Sequence, residues 1–304
     1  MIRYLTHTEI DKQKWDSCIL RSVNGIIYAY SWYLDIVSPK WEGLVEDDYQ
    51  SVMPLTGKRK LGIHYLYPPF FTQQLGVFSV NKFTEEKIKE FISLIPLHFK
   101  YYEINLNTLN KFSSMDVIIH PNLTHELDLI ESYQEIYKSY SENLRRNLKK
   151  AVNADLVVEK NANPQLIINL FRHNKGRQYS NIRPRDYDTL EELIQTCMQK
   201  GRAQVWGVLG RERRLCAGAF FVESNGKVIF LFSGSNQIAL TNGAMPFLID
   251  RFIEENAHRN LIFDFEGSND LNLARFYKSF GSKECVYLQV KVNRLPWYAR
   301  YFKE

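Results

Sequence analysis

One order of elements is written through this chain twice, and a duplicated α/β order leaves few folds open to it. In the second half the periodicity predicts a strand at Leu156–Glu159 and helices at Pro164–His173 and Tyr187–Gln199, the latter with Leu190, Leu193, Ile194 and Cys197 on one face. Three strands follow, Ala203–Leu209, Leu215–Val222 and Val228–Ser233, the last two joined by a Ser224-Asn225-Gly226 hairpin turn. A helix at Met245–His258, a strand at Leu261–Phe265, a helix at Asn272–Phe280 and a strand at Val286–Val292 complete a βααβββαβαβ order. The first half repeats it more loosely. Its strands are expected at Ile2–Leu5, Trp41–Val45, Ser51–Thr56, Gly62–Tyr67 and Tyr101–Leu106, with two short closing strands near Val117–His120 and Thr124–Leu129; its helices are expected at Asp11–Leu20, Tyr33–Val37 and Glu85–Leu97. Only the fourth helix is missing. Residues 131–153 read as a polar helical connector, with Ser132, Tyr133 and Ser141 where helix starts favour caps.

A chain of 304 residues suits two domains of about 150 each. The expected division is a first domain over 1–130 and a second over 131–304 that includes the connector, with the aromatic and cationic tail Trp297–Lys303 folding back to seal a sheet edge of the first. A hydrophobic content of 45% supplies enough apolar surface for two cores. No stretch approaches the roughly 20 apolar residues of a membrane span, and the start lacks a signal-peptide core, so a cytoplasmic location is expected. The four cysteines are scattered, with no C-x-x-C pair and no histidine at ligand spacing, so they are expected to be reduced, with no metal site. A net charge of +5 is short of the bias of a domain built around nucleic acid.

The most informative segment runs from Phe263-Asp264-Phe265-Glu266-Gly267-Ser268 to Ala274-Arg275-Phe276-Tyr277-Lys278-Ser279-Phe280-Gly281. It reads as a buried strand stopping at two carboxylates, a short loop, and a helix ended by Gly281 as a left-handed cap. Two further segments stand out: Tyr67-Pro68-Pro69-Phe70-Phe71-Thr72-Gln73-Gln74-Leu75-Gly76, and the connector stretch from Tyr140 to Ala151. With the duplicated order, these pieces resemble the FemA/FemB/FemX group and the wider tandem GCN5-related N-acetyltransferase (GNAT) proteins. The resemblance covers essentially the whole chain. It implies an α/β fold of two tandem GNAT-like domains with mixed sheets, and an acyl or aminoacyl transferase. It also implies acyl-CoA or aminoacyl-tRNA as co-substrate rather than a permanently bound cofactor, and a small-molecule or peptide-like amine acceptor such as a cell-envelope (peptidoglycan) precursor. Two departures stand against the pattern: no long helical arm interrupts the second half, and Trp32 is followed by Tyr33, not by lysine.

Acyl transfer to an amine needs a proton for the leaving group, a stabiliser for the developing oxyanion and an acceptor for the amine proton. Tyr277 lies four residues before Gly281, which resembles the leaving-group tyrosine of many single-domain acetyltransferases; Lys278 directly follows an aromatic residue, as in the Fem-type pair assigned to the transition state. Tyr277 is thus the candidate acid and Lys278 the oxyanion partner, or else a solvated cation near a helix C-terminus. Asp264 and Glu266 alternate with Phe263 and Phe265 and should share a face, Glu266 as proton acceptor and Asp264 as substrate ligand, unless both simply pair with Lys278 or Arg275. Asn242, Gly243 and Ala244 open the helix after the fourth strand, where free N–H groups could take donor phosphates, or form an ordinary capped start. Gln73 and Gln74 suggest a polar wall of an acceptor pocket between the domains, or a satisfied backbone loop. Arg145 and Arg146 share a broad face of the connector with Lys149 and Lys150, toward phosphate or toward solvent. Arg172, Lys175, Arg177, Arg183 and Arg185 crowd one interhelical gap that could meet donor phosphates or RNA. A binding protein that kept the fold and lost the chemistry is the alternative.

Overall fold

The computed structural model describes residues 1–296 except Leu61, Phe83, Ser114, Met115 and Ser268; the tail from Trp297 on therefore lies outside the described residues. The chain divides into two compact units, one of residues 1–123 joined by the segment from Cys285 on, the other of residues 124–284.

In the first unit the order is β1 (Ile2–Leu5), α1 (Lys12–Arg21), α2 (Ser31–Val37), β2 (Glu42–Glu46), β3 (Ser51–Leu55), β4 (Gly57–Lys60), β5 (Ile63–Leu66), β6 (Phe78–Ser79), α3 (Glu85–Ser93) and β7 (Phe99–Asn105). Strands β1, β2, β3 and β6 form one four-stranded sheet, and β4, β5 and β7 pair side by side. The two closing strands expected near 117–120 and 124–129 are one long strand, β8 (Ile118–Asp128), in which the division into units falls.

The second unit continues with α4 (Tyr133–Lys138), α5 (Glu142–Asn153), β9 (Val157–Lys160), α6 (Pro164–His173), α7 (Pro184–Gln199), β10 (Ala203–Leu209), β11 (Leu215–Ser224), β12 (Lys227–Ser235), α8 (Gln237–Asn242), α9 (Ala244–Asn256), β13 (Ile262–Gly267) and α10 (Leu271–Lys278). The last strand, β14 (Lys283–Asn293), is read from sequence as closing the second half, yet its residues Gln289–Asn293 pair with Tyr101–Asn105 of β7. Alternation gives a strand but not its partner, and this pairing is set by contacts nearly two hundred residues apart.

Local chemistry explains most boundaries. Ser132 and Ser141 accept from the backbone N–H groups of Glu135 and Leu144, each at 3.2 Å, so both predicted serine caps form. Asn163 and Pro164 start α6, and Asp270 caps Asn272 and Leu273 at the start of α10. The sheet of the second unit runs β8-β13-β12-β11-β10-β9. Its α9-facing core is aromatic: Phe221 and Phe252 stack at 3.8 Å, with Trp206, Phe263 and Phe265 around them. On the opposite face Gly218 and Gly234 stand side by side, and a β-carbon on Gly234 would lie 2.3 Å from the Ile167 carbonyl oxygen of α6. Missing side chains thus let α6 lie on the strands.

One polar cluster ties three strands. Lys227 of β12 pairs with Glu126 of β8 and, at 3.2 Å, with Asp264 of β13; Asp264 is fully buried and also accepts from Thr124 Oγ1 at 2.7 Å. Burial works against the Lys227 ammonium, but the two carboxylates outweigh it and its pKa is raised.

Two outcomes follow from this packing. Gly243 has φ +76°, and a β-carbon there would lie 2.6 Å from the Asn147 carbonyl oxygen of α5, whereas Gly201 has φ +64° with open space around it. Gly201→Ala should cost about 1 kcal/mol of unfolding free energy and Gly243→Ala about 3, measured in urea; equal losses would contradict the close approach. Lys227→Met should cost about 3 kcal/mol at neutral pH, because two largely buried carboxylates lose their cation. The wild type holds this contribution below the unfolded lysine pKa of about 10.4 and loses it as pH rises through the higher folded value.

Candidate active site

Strands β12 and β13 run parallel for only three pairs, Lys227 with Ile262, Val228 with Phe263 and Ile229 with Asp264. Beyond that rung each strand carries an irregularity. On β12 the register to β11 slips between Phe221↔Phe230 and Phe220↔Phe232, leaving Leu231 as the extra residue. On β13 the register to β8 runs Asp264↔Glu126 and then Gly267↔Thr124, so Phe265 and Glu266 together oppose the single residue His125, and Glu266 has φ +60°. Bulges bend and twist the strand that carries them. Two of them just past the last shared rung make the strands diverge, and the edge of β12 from Phe230 to Ser235 has no strand beside it on that side among the described residues.

Helix α10 follows this opening. Tyr277 is buried, its ring 5.0 Å from Phe265 and 5.9 Å from His125. Burial, then the charges of Glu266 and Asp264, push its hydroxyl well above the usual tyrosine range, so it keeps its proton at neutral pH. Lys278 is the next residue, turned by about 100° on the helix, and is half exposed. Its Nζ lies 2.7 Å from Glu284, whose carboxyl it holds below the usual range. With Arg275, Asn272, Asn143 and Asn147, Lys278 lines a cavity of about 570 Å³ between α5 and α10.

The remaining predicted site residues fall into two groups. Glu266 belongs to the corner: it is half buried, and its charge acts on Tyr277. Asp264 is committed to Lys227, Thr124 and the backbone N–H of Glu266 at 2.9 Å, so its partner is neither Lys278 nor Arg275, and the bulge interrupts the alternation on which a face shared with Glu266 depended. Asn242, Gly243 and Ala244 do open the long helix α9, but the short helix α8 separates them from β12. There Asn242 accepts from the Ala244 N–H at 3.0 Å and Gly243 packs on α5, so this turn serves α9 itself.

Gln74 is buried, donates to Gln73 at 2.8 Å and accepts from the Thr108 N–H at 3.1 Å, while the Gln73 carbonyl accepts from Asn105 at 2.9 Å; both glutamines serve their own loop. Arg145 donates to the carbonyls of Tyr137 and Lys138 at 3.2 and 2.8 Å and so closes the end of α4, whereas Arg146 is exposed. Arg172 covers the Tyr187 ring at 5.4 Å, and Tyr179 acts electrostatically on Tyr277. Sequence reasoning did not single out His125, Lys227 or Glu284. His125 lies in an expected strand, Lys227 just before one and Glu284 two residues before another, so the sequence pattern alone does not bring them together.

Residues 138–279 match a family described as an acetyltransferase (GNAT) domain. Among solved structures the chain is similar to FemX, with a TM-score of 0.65 at 13% identity over 99% of both chains. A conserved protein of unknown function from Bacteroides thetaiotaomicron gives 0.62 at 10% identity over 96% of this chain and 99% of that one. The C-terminal domain of a putative lysylphosphatidylglycerol synthetase from Agrobacterium fabrum gives 0.56 at 10% identity over 96% and 93%. No curated protein matches by sequence. The segment 138–279 is thus a GNAT-type domain, and the chain that carries it has the FemX-like tandem GNAT fold.

Proposed function

We propose that this protein is an N-acyltransferase that moves an acyl group from acyl-CoA to an amine in the opening between β12 and β13. The divergence of these strands after Ile229 and Asp264 is the observation that carries the reading. The exposed backbone groups of an unpaired strand edge suit an extended donor bearing amides, as the pantetheine arm of CoA does. In the reaction the amine nitrogen bonds to the acyl carbon, the carbon–sulfur bond breaks, and the proton lost by the amine ends on the leaving group. A tyrosine raised by burial holds a proton at neutral pH, which fits Tyr277 as donor to that leaving group. Lys278, drawn from Glu284, would stabilise the acyl oxyanion, and Glu266 would receive the amine proton through water. An amine on a cell-envelope precursor is the acceptor that the resemblance to the Fem group suggests.

Two observations favour a second donor. A raised tyrosine transfers its proton more completely to a ribose alkoxide than to a thiolate, because the alkoxide is much the stronger base, and the cations of the 172–185 segment suit a polyanion. This is the aminoacyl-tRNA reading.

Thermal unfolding separates the two. A ligand at about 100 times its dissociation constant adds about 2.7 kcal/mol, so CoA should raise the melting temperature and charged tRNA should not. The reverse result would select the aminoacyl transfer reading, and no shift with either would make the chain a binding protein. With acetyl-CoA and an amine panel, Tyr277→Phe should lower kcat by about a hundredfold while KM for acetyl-CoA stays within about threefold; an unchanged kcat removes Tyr277 from the chemistry.

A further inference from the structure

His125 is wholly buried, and neither of its ring nitrogens has a hydrogen-bond partner among the described residues. A buried polar group left unsatisfied costs about 1–3 kcal/mol, so an imidazole with two such atoms is a costly residue to hold for packing alone. Its position is specific. It stands opposite the Phe265–Glu266 bulge, beside the Tyr277 ring, and its Nε2 lies 3.9 Å from Glu284 Oε1, too long for a hydrogen bond. That same oxygen receives the Lys278 ammonium at 2.7 Å. Glu284 therefore has one partner in hand and a second just out of reach.

The charges around the imidazole explain why it waits. Burial and the Lys278 ammonium favour its neutral form, against the opposing pull of Glu284 and Asp264, so its pKa is lowered. Tyr277 and Glu266 are further ionisable groups at this corner, Tyr179 acts on Tyr277, and Lys227 pairs with Asp264. A neutral imidazole keeps one N–H to donate. When Lys278 departs, the repulsion that lowers His125 goes with it and the carboxylate that attracts a proton loses its neutralising partner.

We propose that His125 is a positioning residue of the transfer site, taking over Glu284 through its Nε2–H when Lys278 leaves that carboxylate for the acyl oxygen. This rests on the reading of Lys278 as the oxyanion partner. The exchange makes the ammonium's departure less costly, since Glu284 passes from one donor to another. No covalent bond to His125 forms or breaks.

Lys278→Met imitates the departure without any substrate. Imidazole resonances followed by NMR over pH, with His125 assigned by its loss in His125→Gln, should show a higher His125 midpoint in Lys278→Met than in wild type. Most of that rise should vanish in Lys278→Met combined with Glu284→Gln. An unmoved midpoint, or an equal rise in the double variant, overturns the proposal. In the transferase assay His125→Leu should lower kcat about tenfold with KM for acetyl-CoA within about twofold, and His125→Gln, which keeps an N–H donor, should recover most of it; equal losses in both also overturn it. A shifted titration in a protein that transfers no acyl group would reject the transferase reading and keep the exchange of partners, whereas an active enzyme with an unmoved titration would reject the exchange.

Discussion

The Asp264 carboxylate sits on the last rung that β12 and β13 share, and its contacts set what happens on either side of it. Toward the paired end it meets Lys227, which also holds Glu126, so three strands are tied at one point in a largely buried setting. Toward the open end its Oδ1 accepts from Thr124 and from the backbone N–H of Glu266, the residue in the left-handed conformation. A non-glycine residue costs about 1–2 kcal/mol in that conformation, and the bond from its own N–H to Asp264 offsets part of the cost. One side chain therefore both clamps the sheet and shapes the bulge that opens it. This is why a carboxylate placed among the substrate ligands on sequence grounds belongs to the scaffold instead.

Divergence of the strands then decides where the ionisable groups stand. Because Phe265 and Glu266 both face His125 across the sheet, the corner gains a buried imidazole that alternation alone would have set opposite a single residue. Tyr277 and Lys278, adjacent on α10, are split by the helical turn, one into the aromatic core with Phe265 and the other toward Glu284. Their chemistry diverges with their burial. The hydroxyl keeps its proton because carboxylates and apolar rings surround it, whereas the ammonium is held by a carboxylate that is itself partly solvent-exposed, a weaker hold than a buried pair would give.

Much of this was legible in the residues. Hydrophobic period placed helix Pro164–His173 and strands Ile2–Leu5 and Ala203–Leu209 to the residue, and the caps Ser132 and Ser141 were visible because capping is a local matter. What escaped was non-local. The Glu266 bulge is centred on a residue whose type does not announce a positive φ, the helix Gln237–Asn242 spans only six residues, and the partner of β14 lies in another part of the chain. The Arg145 side chain likewise reads as a surface cation, although it fills the carbonyls at the end of α4.

The two units differ in how their backbone groups are paired. In the first unit the stretch from Gln73 to Val77 is saturated by its neighbours. Asn105 donates to the Gln73 carbonyl, Asn107 to that of Leu75, and Asn24 and Asn110 to that of Val77, while Asn110 Oδ1 accepts the Val77 N–H at 2.7 Å. Leu75 further bridges to Leu106 in strand fashion. Buried backbone groups that are already paired have nothing left to offer a ligand, and opening them would cost about 1–3 kcal/mol for each group left unsatisfied. In the second unit, among the described residues, the edge of β12 has no strand beside it past Ile229, and His125, opposite the β13 bulge, has neither ring nitrogen hydrogen-bonded. Duplication supplied the same order of elements twice; amide side chains closed one copy, and bulges kept the other open.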